Sequence, residues 1–234
     1  MGALPILHED PDLAAVDKPP GRLVVPGRGA SERTVREEAE AVLGPLWVVH
    51  RLDRGTSGVL LFARNEKAHR AACLAFERHR VTKRYLALVR GLLDGERRVD
   101  VPIAPGRGGR MRSASAGTGA GPARSASTFV RPLARLRAAG ELPDLTLVEA
   151  FPASGRTHQV RVHLAHLGHP LAVDPDYGEA APLTVGGRVL LDRTPLHAAS
   201  LELLHPATGR PLRIEAPLPA DLEAVLAAAR SGLA

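Results

Sequence analysis

The stretch richest in chemical groups is His50-Arg51-Leu52-Asp53-Arg54-Gly55-Thr56-Ser57-Gly58, set between two apolar runs. Strand alternation puts Val49, Arg51 and Asp53 on one face and Val48, His50 and Leu52 on the other. Asp53 then falls where the strand gives way to a Gly/Thr/Ser turn, which exposes a carboxylate on a rigid support. Such an acid can attack an electrophilic carbon or remove a proton. It can equally bond neighbouring backbone amides in an Asx-turn, and on chemistry alone that is the commoner case. No other acid occurs between Glu40 and Glu66, so this segment lacks the carboxylate pair that a glycoside hydrolase uses to handle water.

A second stretch, Ser154-Gly155-Arg156-Thr157-His158-Gln159-Val160-Arg161-Val162-His163-Leu164, places an arginine at a helix start beside a Thr157 cap. Helix N-termini attract anions, and a carboxylate kept from water needs a cation, so Arg156 is a candidate partner for Asp53. An ordinary surface arginine is the commoner case. In the third stretch, Lys83-Arg84-Tyr85-Leu86-Ala87-Leu88-Val89-Arg90-Gly91, Tyr85 shares a strand face with Ala87 and Val89. Exposed, its ring is a platform for a nucleobase; buried, it is a core tyrosine. The histidines His158, His163, His166 and His169, with His50 and His197, form no paired ligand pattern. Cys73 is the single cysteine. No metal site and no disulfide are expected.

These residues need elements to hold them. Thr34 followed by Glu37 predicts a capping box and a helix carrying Val35, Ala39, Val42 and Leu43 before Gly44. Further helices are expected after Asn65, from about Thr157 to Leu167, and after Pro219. Strands are expected at Trp47–Leu52, Val59–Ala63, Tyr85–Val89, Val99–Ile103, Leu145–Phe151, Leu196–Leu204 and Leu212–Ala216. Strand–helix alternation is absent, so the pattern predicts an α+β fold with a mostly antiparallel sheet and helices packed on it. From Val101 to Gly140 there is no acidic residue, yet seven arginines occur. Its Gly-, Ala- and Arg-rich part, 106–127, is expected to be a flexible loop, either merely solvated or a basic arm for phosphates.

The net charge of +6 comes almost wholly from arginine, since the lysines are Lys18, Lys67 and Lys83. Arginine's planar fork suits phosphate and base edges, which favours a polyanionic partner. No apolar run spans a membrane and the N-terminus lacks a signal-peptide pattern, so a cytoplasmic protein is expected. A monomer is the default expectation.

Taken in order, these stretches resemble the RluA-type family of pseudouridine synthases. The resemblance begins at Asp17-Lys18-Pro19-Pro20-Gly21 and runs through the His50–Gly58 signature, Lys83-Arg84-Tyr85 and Gly155–Arg161. It continues through Leu167-Gly168-His169-Pro170, Asp174 with Tyr177-Gly178, Leu196-His197-Ala198, and His205-Pro206 with Thr208-Gly209. It implies a pseudouridine synthase fold, with a long, mainly antiparallel or mixed sheet flanked by helices and a central catalytic cleft. It also implies an isomerase that breaks the N1 glycosidic bond of selected uridines in tRNA or rRNA and rejoins the base through C5, without cofactor or metal. Asp53 matches the catalytic aspartate, Tyr85 the base-stacking tyrosine and Arg156 the aspartate's arginine. Arg51 would enter the RNA stack, with His50, Arg54, Thr56, Thr157, Gln159 and Arg161 as further RNA-binding candidates.

Three departures stand out. Val173 occupies a position where the family usually has glycine, the 106–127 insert is unusually Gly/Ala-rich, and no N-terminal S4-type RNA-binding domain is expected ahead of a single catalytic domain over 1–234. Asp53 acts either by attacking the anomeric carbon or by removing a ribose proton; the sequence leaves both open. The alternatives are a non-catalytic RNA-binding or ribosome-assembly module, which leaves Asp53, Tyr85 and Arg156 together unexplained, and an RNA-cleaving or base-excising hydrolase.

Overall fold

The computed structural model describes residues 4–27, 32–114, 122–138 and 140–231. In chain order the elements are β1 (Ile6–Glu9), β2 (Leu13–Lys18), α1 (Val35–Leu43), β3 (Trp47–Val48), β4 (Ser57–Ala63), α2 (Glu66–Glu77) and β5 (Thr82–Arg90). Then follow β6 (Arg97–Val99), β7 (Ile103–Pro105), β8 (Met111–Ser113), β9 (Thr128–Leu136), β10 (Leu145–Pro152) and α3 (Gln159–His166). The chain ends with β11 (Leu183–Val185), β12 (Arg188–Leu191), β13 (Leu196–Leu204), β14 (Pro211–Glu215) and α4 (Ala220–Ser231). They form two compact units, Met1–Lys83 with His197–Pro217 and Arg84–Leu196 with Leu218–Ala234. Strands and helices intermix as expected of an α+β fold. None of the described helices is long and apolar enough to cross a membrane.

In the first unit β4 is central and every residue of it is buried. It pairs antiparallel with β2, from Leu13↔Ala63 to Lys18↔Gly58, and parallel with β13 at His197↔Ser57 and Ala198↔Gly58. Leu13, Ala15, Val59, Leu61 and Ala63 share a core with Ala68 and Ala72 of α2 and with Leu201, Leu203 and Ile214. Both expected helix starts are present. Thr34 and Glu37 form the capping box, and Asn65 accepts the Ala68 N–H at 2.8 Å.

In the second unit β10 lies between β5 and β9, both antiparallel. Its alternation separates two cores. Val148 and Ala150 join Ala87 and Val89 of β5 against Val160 and Leu164 of α3, while Leu145 and Leu147 join Leu88 against Leu222, Val225 and Leu226 of α4. Val173 is buried in the latter, so the departure from glycine is absorbed as core packing. Glu149 is also buried and receives Arg84 and Arg131 from the flanking strands. Burial alone would raise its pKa, but these hydrogen bonds outweigh it and hold the carboxyl below its ordinary value.

Two expectations are corrected. The strand expected over Trp47–Leu52 stops at Val48. The next rung on β4, the Leu61 N–H, is taken by the His50 ring at 3.0 Å, so the chain leaves the ladder there. The loop expected over 106–127 is partly ordered: β7 and β8 form a hairpin across Gly106–Arg110, and Ile103 bridges Arg124. Its turn uses Gly108 and Gly109 at φ 63° and 78°, which glycine adopts without steric cost. Residues 115–121 lie outside the described residues.

Gly58 is a point of close backbone approach in the first unit. Its φ is +106°, and a β-carbon there would lie 2.3 Å from the Ala198 carbonyl oxygen. Gly58→Ala is therefore expected to lose about 2–5 kcal/mol, combining backbone strain with overpacking. A drop of about 5–15 °C in thermal midpoint checks it, and an unchanged midpoint contradicts it.

Candidate active site

Asp53 sits in the segment between β3 and β4, on a turn closed by the Thr56 N–H donating to the Asp53 carbonyl at 3.1 Å. Its side chain is half-buried, with Arg51 and Arg54 exposed nearby in sequence. The turn is held from inside by Lys18 at the end of β2. Its ε-amino group is inaccessible to water and donates to the carbonyls of Pro19 (3.0 Å), Arg54 (3.1 Å) and Thr56 (2.7 Å). A second strap joins Gly21 and Arg54: the Gly21 N–H donates to the Arg54 carbonyl at 2.8 Å, and Arg54 Nε to the Gly21 carbonyl at 2.9 Å. Lys18 was legible as part of a motif, but its clamp role carries no local sequence signal.

His50 and Thr56, expected as RNA contacts, have structural positions. Thr56 is buried. The His50 ring stacks on Phe76 at 4.7 Å, and because Nε2 accepts the Leu61 N–H, Nδ1 carries the proton of the neutral form. Burial, with the Lys83 charge adding to it, pushes the His50 pKa down to about 3. Ser57 Oγ and His197 Nδ1 form a buried 3.0 Å pair.

In the second unit Tyr85 is half-buried at the edge of the α3-facing core, on the face shared with Ala87 and Val89 as expected. Arg156 is half-buried in the turn before α3, where its Nε lies 3.4 Å from the Ser125 carbonyl. The helix starts later than expected. Its N-cap is His158, in left-handed conformation at φ 55°, and Thr157 is exposed and precedes it. Gln159 explains the delay: its Oε1 accepts from the Arg156 N–H (3.1 Å) and Ser154 Oγ (2.7 Å), and its Nε2 donates to Ser127 O (2.9 Å) and Thr128 Oγ1 (3.2 Å). The Gln159 side chain thus serves the loop in place of a threonine cap.

Arg161, another expected RNA contact, also has internal partners. It is 7% exposed and grips Asp174 with two hydrogen bonds of 2.8 and 2.6 Å, with a third to Asp176 at 2.7 Å. Arginines of the acid-free 101–140 segment also have acidic partners: Arg131 pairs with Glu149, Arg135 with Asp94 and Arg110 with Asp176.

Among the described residues one group has metal-ligand spacing, Asp10, Asp12 and His205. Asp10 already accepts the Asp12 and Leu13 N–H groups and meets Nε2 of His8 and His205. His205 Nδ1 faces the N–H groups of Ala207 and Thr208, which leaves the proton on Nε2. Burial tends to raise the Asp10 pKa, but these donors outweigh it and lower it to about 2. The cluster is a self-satisfied carboxylate, with no lone pair of His205 turned toward a cation.

Two outcomes follow. The His50 pKa is lower in the folded than in the unfolded chain, so its contribution is complete above pH 6.5 and is lost as pH falls toward 3. Denaturant titrations at pH 7.5 and 4.5 should show that His50→Gln removes on the order of 2 kcal/mol of the wild-type acid destabilisation; equal pH dependences would contradict it. Lys18→Met should cost about 2–4 kcal/mol, since it strands buried carbonyls. Faster hydrogen exchange at the Thr56 amide would mark the loosened turn.

The RNA pseudouridylate synthase family model matches residues 12–166. The chain is 38% identical over 240 residues to ribosomal large subunit pseudouridine synthase D of Xanthomonas campestris pv. campestris, covering 97% of this chain and 70% of that protein. It is 39% identical over 226 residues to tRNA pseudouridine synthase C of Salmonella typhimurium, covering 92% and 85%. Human RNA pseudouridylate synthase domain containing 1 superposes with a TM-score of 0.74 at 27% identity, over 97% of this chain and 94% of that one. With Asp53, Tyr85 and Arg156 in the matched span, the chain belongs to the RNA pseudouridylate synthase family, isomerases that convert uridine to pseudouridine in RNA.

Proposed function

We propose that Asp53 is the catalytic carboxylate and that the RNA is a stem-loop of tRNA or rRNA, the two classes named for the relatives. The observation that carries this is the Asp53 turn: a half-buried acid on backbone pinned by a buried lysine, flanked by exposed Arg51 and Arg54. Pinning of this kind holds a reacting group to its position without relying on a flexible loop.

The reaction balances within the substrate. The N1–C1′ bond breaks, the uracil turns, C5 bonds to C1′, and the C5 proton leaves while N1 gains one. No oxidant, reductant or water is consumed. The uridine must first leave its stack, which costs a few kcal/mol. Arg51 filling the vacated space and the Tyr85 ring stacking on the uracil would offset that. The Asp53 carboxylate then attacks C1′ or takes the neighbouring ribose proton, and the family resemblance gives Arg156 the part of the aspartate's arginine. The enzyme is taken to work in the cytoplasm as a monomer.

Tritium release from RNA labelled at uracil C5, with tRNA and rRNA assayed separately, tests the reading. Wild-type protein should release label from at least one of them, and Asp53→Asn should reduce release about 10³-fold or more. Release by Asp53→Asn at the wild-type rate would remove Asp53 from the chemistry. RNA binding without release by either protein would favour the binding-module alternative.

A further inference from the structure

A polar cluster in the second unit has no part in the roles above. His158 keeps a left-handed backbone (φ 55°, ψ 20°), although it carries a β-carbon and makes no side-chain capping bond. Conformations of this kind persist only where the surroundings over-determine them. The ring of His158 meets the Tyr177 hydroxyl at 2.8 Å through Nδ1, edge-on to the phenol ring. The same hydroxyl accepts the backbone N–H of Met111, the first residue of β8, at 2.9 Å. The phenol ring is fixed in turn by the Arg161 guanidinium, 4.9 Å from its centroid, which Asp174 and Asp176 hold. Arg110, in the turn of the same hairpin, reaches Asp176 at 3.2 Å.

We propose that Tyr177 is a positioning residue for Arg156, its hydroxyl latching the β7–β8 hairpin to His158 and so holding the backbone kink that sets Arg156. The proposal rests on the catalytic role given to Arg156. Its carrying geometry is short: Arg156 lies two residues before the kink, and its N–H is bonded to Gln159, one residue after it. If His158 relaxed to an ordinary backbone conformation, the peptides on both sides would turn and the Arg156–Gln159 bond would not survive in place. The latch also ties the hairpin bearing Arg107, Arg110 and Arg112 to the loop of Arg156.

Tyr177→Phe keeps the ring under Arg161 and removes only the hydroxyl. Turnover in the tritium assay should fall about tenfold, since small displacements of a reacting group have effects of this size. KM for RNA should stay within about twofold, and hydrogen exchange at residues 155–158 should quicken. His158→Asn, which tolerates the left-handed conformation and still offers an oxygen to the hydroxyl, should stay nearer wild type than His158→Ala. Wild-type turnover in Tyr177→Phe overturns the latch. So does a loss in KM alone, unchanged exchange at residues 155–158, or equal activity of the two His158 variants. Absence of release by the wild-type protein would instead count against the proposed function.

Discussion

The amino group of Lys18, sealed from water, is the contact on which the Asp53 turn depends. Burying an ammonium is expensive unless every N–H finds a partner, and here three carbonyls receive it. Two of those carbonyls, Arg54 and Thr56, lie on either side of Gly55, and the third, Pro19, lies just past the end of β2. Lys18 is itself the last residue of β2, fixed opposite Gly58 on β4. The turn therefore inherits the position of the sheet through one side chain. The Gly21–Arg54 strap repeats the device from outside, and Gly58 lets β13 approach closely enough to finish the same corner.

The second unit solves a similar problem with different chemistry. The segment before α3 has no strand partner, and Gln159 spends its amide on that segment and on residues 127–128. Arg161, on the first turn of α3, organises Asp174 and Asp176. Its planar fork satisfies Asp174 with two parallel bonds, a geometry a lysine does not reproduce. In both units, dehydrated polar side chains give definition to loops where regular hydrogen bonding ends. Such bonds are strong because water does not compete, and a missing partner is correspondingly costly.

Much of this was legible, and the pattern of misses has physical causes. The α1 and α2 starts were readable because caps are local: Thr34, Glu37 and Asn65 act within three residues of themselves. The buried strands β10 and β13 were readable as long apolar runs. Strand β9 was missed because Arg131, Pro132 and Arg135 look like loop residues; the proline is accommodated at a register shift opposite Leu147 and Val148. Residues 49–52, just before Asp53, read as strand because alternation cannot register a histidine ring replacing a ladder bond. Lys18, Gln159 and Arg161 are polar residues beside turns, and no local pattern separates those that face solvent from those that face inward. Only tertiary pairing decides it.

That division bears on what the signature residues do. Of the candidates drawn from the motifs, His50, Thr56, Gln159 and Arg161 have buried or internally committed side chains, whereas Arg51, Arg54 and Thr157 are exposed and Asp53, Tyr85 and Arg156 are half-buried. The committed group fixes geometry that any uridine would require, since the bond broken and the bond made are the same in every RNA. The exposed group, like Arg107 and Arg110 of the hairpin, is open to solvent. On this reading the motifs carry the reaction through their committed side chains, and selection of the RNA is left to exposed ones. Family membership consequently carries the chemistry much further than it carries the target.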